Sequence, residues 1–77
     1  MKEPVEKIVK AMVGDAEAVE VWEDGDGRTV RINVRLAKDD YGRVIGREGR
    51  TIKAIRSLLF LAGQKNGKRY HLDLVED

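Results

Sequence analysis

The chain has no cysteine in its 77 residues, which excludes a disulfide framework, a thiolate metal site and a cysteine nucleophile. Its single histidine, His71, cannot build a His-rich metal site by itself, so no metal is expected. The longest apolar run, Leu58 to Ala62, is far short of the roughly 20 residues that span a bilayer, and the N-terminus carries no apolar signal-peptide core. A soluble, cytoplasmic protein without membrane contact is expected. No excess of charge of one sign exists either: 15 Lys and Arg stand against 14 Asp and Glu, so the overall charge of +1 does not by itself indicate nucleic acid.

Internal repeats, low-complexity tracts and linkers are also missing, so residues 1–77 are expected to form one domain. A domain this small buries only about 60% of the surface its unfolded chain would expose, leaving little room for a deep active-site cavity. There is no Walker lysine followed by Ser or Thr and no cluster of candidate general bases, so phosphoryl transfer is poorly supported. The expectation is a protein that is not an enzyme, with no catalytic residue, cofactor or small-molecule substrate.

What the chain does have is an uneven distribution of charge. Asp15 to Gly27 holds six acids and no base, whereas Gly42 to Arg56 holds Arg43, Arg47, Arg50, Lys53 and Arg56 against Glu48 alone. Such asymmetry aims one surface at an anion and keeps others away from it. Isolated charge clusters are more often plain solvated faces, so the pattern needs support from the local sequence.

The apolar spacing supplies the elements. Pro4, Val5, Ile8, Val9, Met12 and Val13 follow a helical period that stops at Gly14. Val19, Val21 and Glu23 alternate with Ala18, Glu20 and Trp22, and Asp24 to Gly27 turns the chain into a second strand. There Val30, Ile32, Val34 and Leu36 point inward, with Arg31, Asn33 and Arg35 outward. Asp39 and Asp40 can cap a short helix through Tyr41 to Ile45. Periodicity resumes at Ile52, Ile55, Leu58, Leu59 and Ala62, Gly63 is expected to end that helix, and Gln64 to Gly67 is a polar link. Tyr70, Leu72 and Leu74 alternate with His71, Asp73 and Val75 as a last strand. The predicted class is α+β, in the order α-β-β-α-α-β, with a three-stranded mixed sheet covered on one face by three helices. The crossover makes the second and third strands parallel.

The chemistry sits in Gly42-Arg43-Val44-Ile45-Gly46-Arg47-Glu48-Gly49-Arg50, followed by Lys53-Ala54-Ile55-Arg56. A tight Gly-x-x-Gly turn joins two helices, its glycines tolerating unusual φ/ψ and letting another backbone approach closely. The amides and dipole of the following helix start attract phosphate, and Arg47, Arg50 and Lys53 surround it. Arg43 adds positive charge on the preceding helix. Val44 and Ile45 offer an apolar floor for unstacked bases, with Ile45 assigned a share in the core. An acid at Glu48 repels phosphate unless it faces solvent or pairs with Arg47 or Arg50.

Across its whole length the sequence resembles the KH family in its type II order, and more narrowly the small stand-alone bacterial KH proteins of the KhpA type. The segments just quoted carry the similarity. A lone Gly-x-x-Gly would be weak, but loop, flanking apolar residues, basic helix and element order agree. The resemblance implies binding of about four nucleotides of single-stranded RNA without catalysis. It also implies self-association or pairing with a larger KH-containing protein, and a role as an RNA chaperone or post-transcriptional regulator linked to cell shape, growth and division.

The remaining features carry less. Arg31 and Arg35 either extend an electropositive surface or merely solvate a strand. Trp22, on an acidic strand, suits packing or a protein partner better than a base. Tyr70 and His71 lie on opposite faces of the last strand and read as structural. Lys65, Lys68 and Arg69 stand either at the helix C-terminus or as further anion contacts, and the sequence does not separate the two.

Overall fold

A computed structural model describes residues 1–76. Its elements are α1 (Lys2–Met12), β1 (Glu20–Gly25), β2 (Thr29–Arg35), α2 (Tyr41–Ile45), α3 (Arg50–Asn66) and β3 (Arg69–Val75), with 3₁₀ turns at Ala16–Ala18, Lys38–Asp40 and Arg47–Gly49. Class and order agree with the sequence expectation.

Proline is tolerated in the first turn of a helix, where its missing N–H has no intrahelical partner to lose, and Pro4 occupies that turn of α1. Val5 and Val9, one turn apart, bury that helix's inner stripe. Its start is held by β1 rather than by a cap of its own. The Lys2 amide donates to Glu23 Oε1 at 3.1 Å, and the N-terminal ammonium lies 3.8 Å from the same oxygen.

β2 is the central strand, antiparallel to β1 and parallel to β3. Val21 lies opposite Val34, and Ile32 opposite Leu72, so one face of the sheet is aliphatic. Ile32 and Val34 are fully buried there, as is Val44 of α2. Ile52, Ile55 and Leu59 of α3 complete the core on that face.

The opposite face is polar and internally paired. Asn33 points outward as expected but is only 7% exposed, beside Trp22 and with its Nδ2 donating to Asp24 Oδ2 at 2.9 Å. The Arg35 guanidinium stacks 5.5 Å from the Trp22 ring centre and lies 3.8 Å from Glu20, while Arg31 pairs with Asp73 at 3.6 Å. Both strand arginines therefore face carboxylates on neighbouring strands.

The course of α3 differs from expectation. It does not end at Gly63 but continues to Asn66, closing at Gly67 in the left-handed region, φ 68°. Gln64 to Asn66 are its last turn rather than a link. Gly63 is buried inside the helix, where a Cβ would overlap the Lys68 carbonyl oxygen and lie 3.5 Å from the Tyr70 ring. The glycine thus serves a close crossing of helix and chain. Leu58, assigned to the core by its spacing, is 60% exposed, because the inner stripe is filled by Ile52, Ile55, Leu59 and Gly63.

Candidate nucleic-acid interface

α2 is short, and its C-terminus is set by the Gly46 amide, which donates to the Gly42 carbonyl at 2.9 Å. Gly46 then takes φ 78° and ψ 173°, a region essentially restricted to glycine. A Cβ there would stand 2.7 Å from Thr51 Cβ and 2.9 Å from its amide nitrogen. Glu48 (φ 55°) and Gly49 (φ 75°) are both left-handed, so three of the four residues from Gly46 to Gly49 have positive φ. The Gly49 amide closes the turn on the Gly46 carbonyl at 3.1 Å.

Gly49 is the N-cap of α3, and no side chain caps that end. The Gly49 and Arg50 amides close back on the Gly46 and Arg47 carbonyls, so the helix dipole and the first-turn amides that follow Arg50 are what this end offers to an external anion. Among the described residues no carboxylate approaches Arg47 or Lys53, and both are exposed beside the turn. Arg50 lies 3.9 Å from Glu48, but both side chains are three-quarters exposed, so water screens the pair. Glu48 thus turns its carboxylate toward a neighbouring cation.

The structure places the remaining predicted residues less uniformly. Arg43 is exposed, yet its Nε lies 3.4 Å from Asp40, which draws it back along α2. Val44 is fully buried and Ile45 half-buried, reversing the division expected for them. Ile45 is the one of the two that can offer surface to a base. In the sequence Arg56 is only one charge among five. Its Nη2 donates to the Leu72 carbonyl at 3.1 Å, tying α3 to β3 along the groove between them. The sequence gives no signal for that bond, since it joins positions 16 apart in separate elements.

Asp40 does not cap α2 with its side chain. It is 5% exposed and accepts the Gly14 and Asp15 amides at 3.0 and 3.1 Å, pinning the α1–β1 connection against the base of the site. The Gly14 hydrogen bond, with smaller help from Asp15 and Arg43, holds its carboxyl below the usual aspartate value of 3.8, against the opposing effect of burial. A lowered folded-state pKa contributes stability that is present above the unfolded value and lost as pH falls through the folded one. Asp40→Asn should therefore melt at lower temperature than wild type near neutral pH, with the gap closing below about pH 3.8. Thermal melts from pH 7 to 2 check this; a gap that stays constant through the acid range would refute it.

Tyr41 fixes the other flank. Its hydroxyl donates to the Val75 carbonyl and accepts the Leu36 amide at 3.2 Å, linking the ends of β2 and β3 to the start of α2.

A parallel strand pair connected through two helices, with a Gly-x-x-Gly turn between those helices and an antiparallel hairpin ahead of them, defines a type II KH domain. The family model of the KhpA/KhpB KH domain matches residues 2–74, and the chain belongs to that family. It is similar to the RNA-binding protein KhpA of Halalkalibacterium halodurans, 41% identical over 99% of this chain and 100% of that protein. It is also similar to the proteins of the same name from Chlamydia pneumoniae, 40% identical over 100% and 99%, and Listeria monocytogenes, 37% identical over 99% and 100%. No solved structure gives a significant match.

Proposed function

We propose that residues 1–77 act as one KH domain that binds single-stranded RNA without catalysis, clamping phosphates at the Gly46–Gly49 turn. The observation that carries this reading is the uncapped start of α3 flanked by Arg47 and Lys53, two exposed cations that no carboxylate among the described residues neutralises. Backbone amides position the phosphates, Arg47, Arg50 and Lys53 supply longer-range attraction, and Ile45 supports an unstacked base. The names of the relatives support RNA as the ligand. The reading extends to work as an RNA chaperone or post-transcriptional regulator in the bacterial cytoplasm, with effects on cell shape and division. No helix among the described residues is long and apolar enough to cross a membrane.

Binding should be salt-sensitive. Two to three neutralised phosphates at a single-strand slope near −0.7 each imply roughly 7- to 20-fold weaker binding between 50 and 200 mM salt. Fluorescence anisotropy with a pool of short single-stranded RNAs measures this, and a flat response would exclude a phosphate clamp.

A second reading, compatible with the first, is pairing with another copy or with a larger KH-containing protein. It is favoured by a strip of Ala54, Leu58 and Leu61 on the outward side of α3, where both leucines are 60% exposed. Trp22, half-buried beneath Arg35, offers less apolar surface. Sedimentation should show wild-type dimers at micromolar concentration and monomeric Leu58→Glu; a wild type that stays monomeric would remove self-association.

A further inference from the structure

Among the described residues Glu48 is the only one other than glycine with positive φ, at φ 55° and ψ 25°. That region is uncommon for side chains beyond Asn, Asp and His, and glycine enters it without the steric cost that glutamate carries. Backbone geometry therefore gives no reason for glutamate at this position. Packing gives none either, since the side chain is 75% exposed and its ion pair with Arg50 is long, at 3.9 Å, and open to water. A backbone outlier in a binding loop whose side chain stabilises nothing points toward function.

The surroundings of this carboxylate are otherwise cationic. Arg47, Arg50 and Lys53 lie within five residues of it, and the start of α3 adds the positive end of a 17-residue helix. Such an assembly attracts any phosphate, and the attraction grows with the charge of the ligand. A phosphodiester inside a strand carries one negative charge, whereas the phosphomonoester of a free nucleotide carries close to two above its second ionisation, near about pH 6. With cations alone, the turn would favour the free nucleotide's phosphate. A carboxylate beside the anion acts in the opposite sense. At about 4 Å in water it weakens binding about fivefold for each negative charge it faces, hence about fivefold for a diester and about 25-fold for a dianionic monoester.

The geometry points to Glu48 as a specificity-determining residue: it reserves the turn for the singly charged diesters of a strand interior by disfavouring the doubly charged monoesters of free nucleotides. A phosphate that engages Arg50 comes within reach of Glu48, because the two side chains stand 3.9 Å apart. A diester tolerates that neighbour, since Arg47 and Lys53 have no carboxylate partner among the described residues. The role rests on the proposed RNA binding at the Gly46–Gly49 turn and accounts for an acid among its cations.

The test compares wild type with Glu48→Gln and Glu48→Gly, using a 3′-labelled tetranucleotide RNA with a 5′-hydroxyl and, as its competitor, AMP. Anisotropy is read at about pH 8, where AMP is a dianion, and at a constant ionic strength of about 50 mM. Glutamine keeps the shape of the side chain and glycine removes it along with the backbone cost, so agreement between the two variants assigns the effect to charge. Circular dichroism verifies that both are folded. Each variant should bind the tetranucleotide about fivefold and AMP about 25-fold more tightly than wild type, shifting the ratio of the two affinities about fivefold toward AMP. Equal gains for both ligands, a gain for neither, a shift in one variant alone, or AMP that displaces RNA from neither variant would each overturn the selection by charge while leaving binding at the turn in place. A wild type that does not bind the tetranucleotide would instead overturn the phosphate clamp, and the role of Glu48 with it.

Discussion

Replacing Gly63 by valine should lower the melting temperature by about 12–24 °C, a loss of ~3 kcal/mol. On an open helix surface a side chain in place of glycine gains up to about 1 kcal/mol from reduced backbone entropy. At Gly63 even a Cβ would overlap the Lys68 carbonyl oxygen, and the Lys68 carbonyl carbon lies only 3.4 Å away. The obstacle is backbone, held by the Lys68 amide donating to the Gly63 carbonyl at 2.9 Å, so no side chain can swing aside. Valine adds two methyl groups to the same space. Gly42 provides the contrast, since it is helical and a Cβ there would meet nothing within 4 Å. Gly42→Ala is expected to be neutral or slightly stabilising. Thermal melts of both variants decide the matter: a Gly63→Val protein as stable as wild type would mean that the crossing of α3 and the β3 approach is looser than described.

Arg47→Asp combined with Glu48→Asp should weaken RNA binding by about 10- to 200-fold while leaving the fold intact. The first change removes one of two unneutralised cations at the turn and substitutes a repelling charge. A charge-assisted hydrogen bond contributes about 1.5–3 kcal/mol, which corresponds to that range. The second change suits the backbone, because position 48 sits at φ 55° and aspartate enters the left-handed region more readily than glutamate. Anisotropy titrations with circular dichroism on both proteins supply the measurement. Unchanged affinity in the folded double variant would move the phosphate contact away from the turn.

Much of this architecture was legible because each element carries its own period. The alternation through Val30, Ile32 and Val34, and the glycine pair at 46 and 49, are local signals that the backbone obeys directly. Structure departs from sequence pattern where a distant neighbour decides. Glycine usually ends helices, which predicts a stop at Gly63, whereas here it admits the Lys68 backbone. Leu58 satisfied the helical spacing, but the sheet is reached by a stripe that Gly63 completes, leaving Leu58 on the far side. Asp40 read as a cap, yet its partners are the amides of Gly14 and Asp15, 25 and 26 residues back. Arg43 and Arg56 counted alike with the other cations until Asp40 and the Leu72 carbonyl engaged them. In the candidate site, the loop's shape was thus readable from glycine positions, while the usable charge depended on tertiary partners.

The parallel pairing of β2 with β3 also bears on how the molecule assembles. The β1–β2 hairpin closes over residues 26–28, a local event, whereas β3 reaches β2 only across residues 36–68, which contain α2, the turn and all of α3. Loop-closure entropy must be overcome before such non-local contacts reward it, which makes parallel pairings intrinsically slow. The groove between α3 and β3 therefore takes shape at the last docking step, and a nascent chain that still lacks residues 69–75 has the Gly46–Gly49 turn in its sequence without the wall the turn faces.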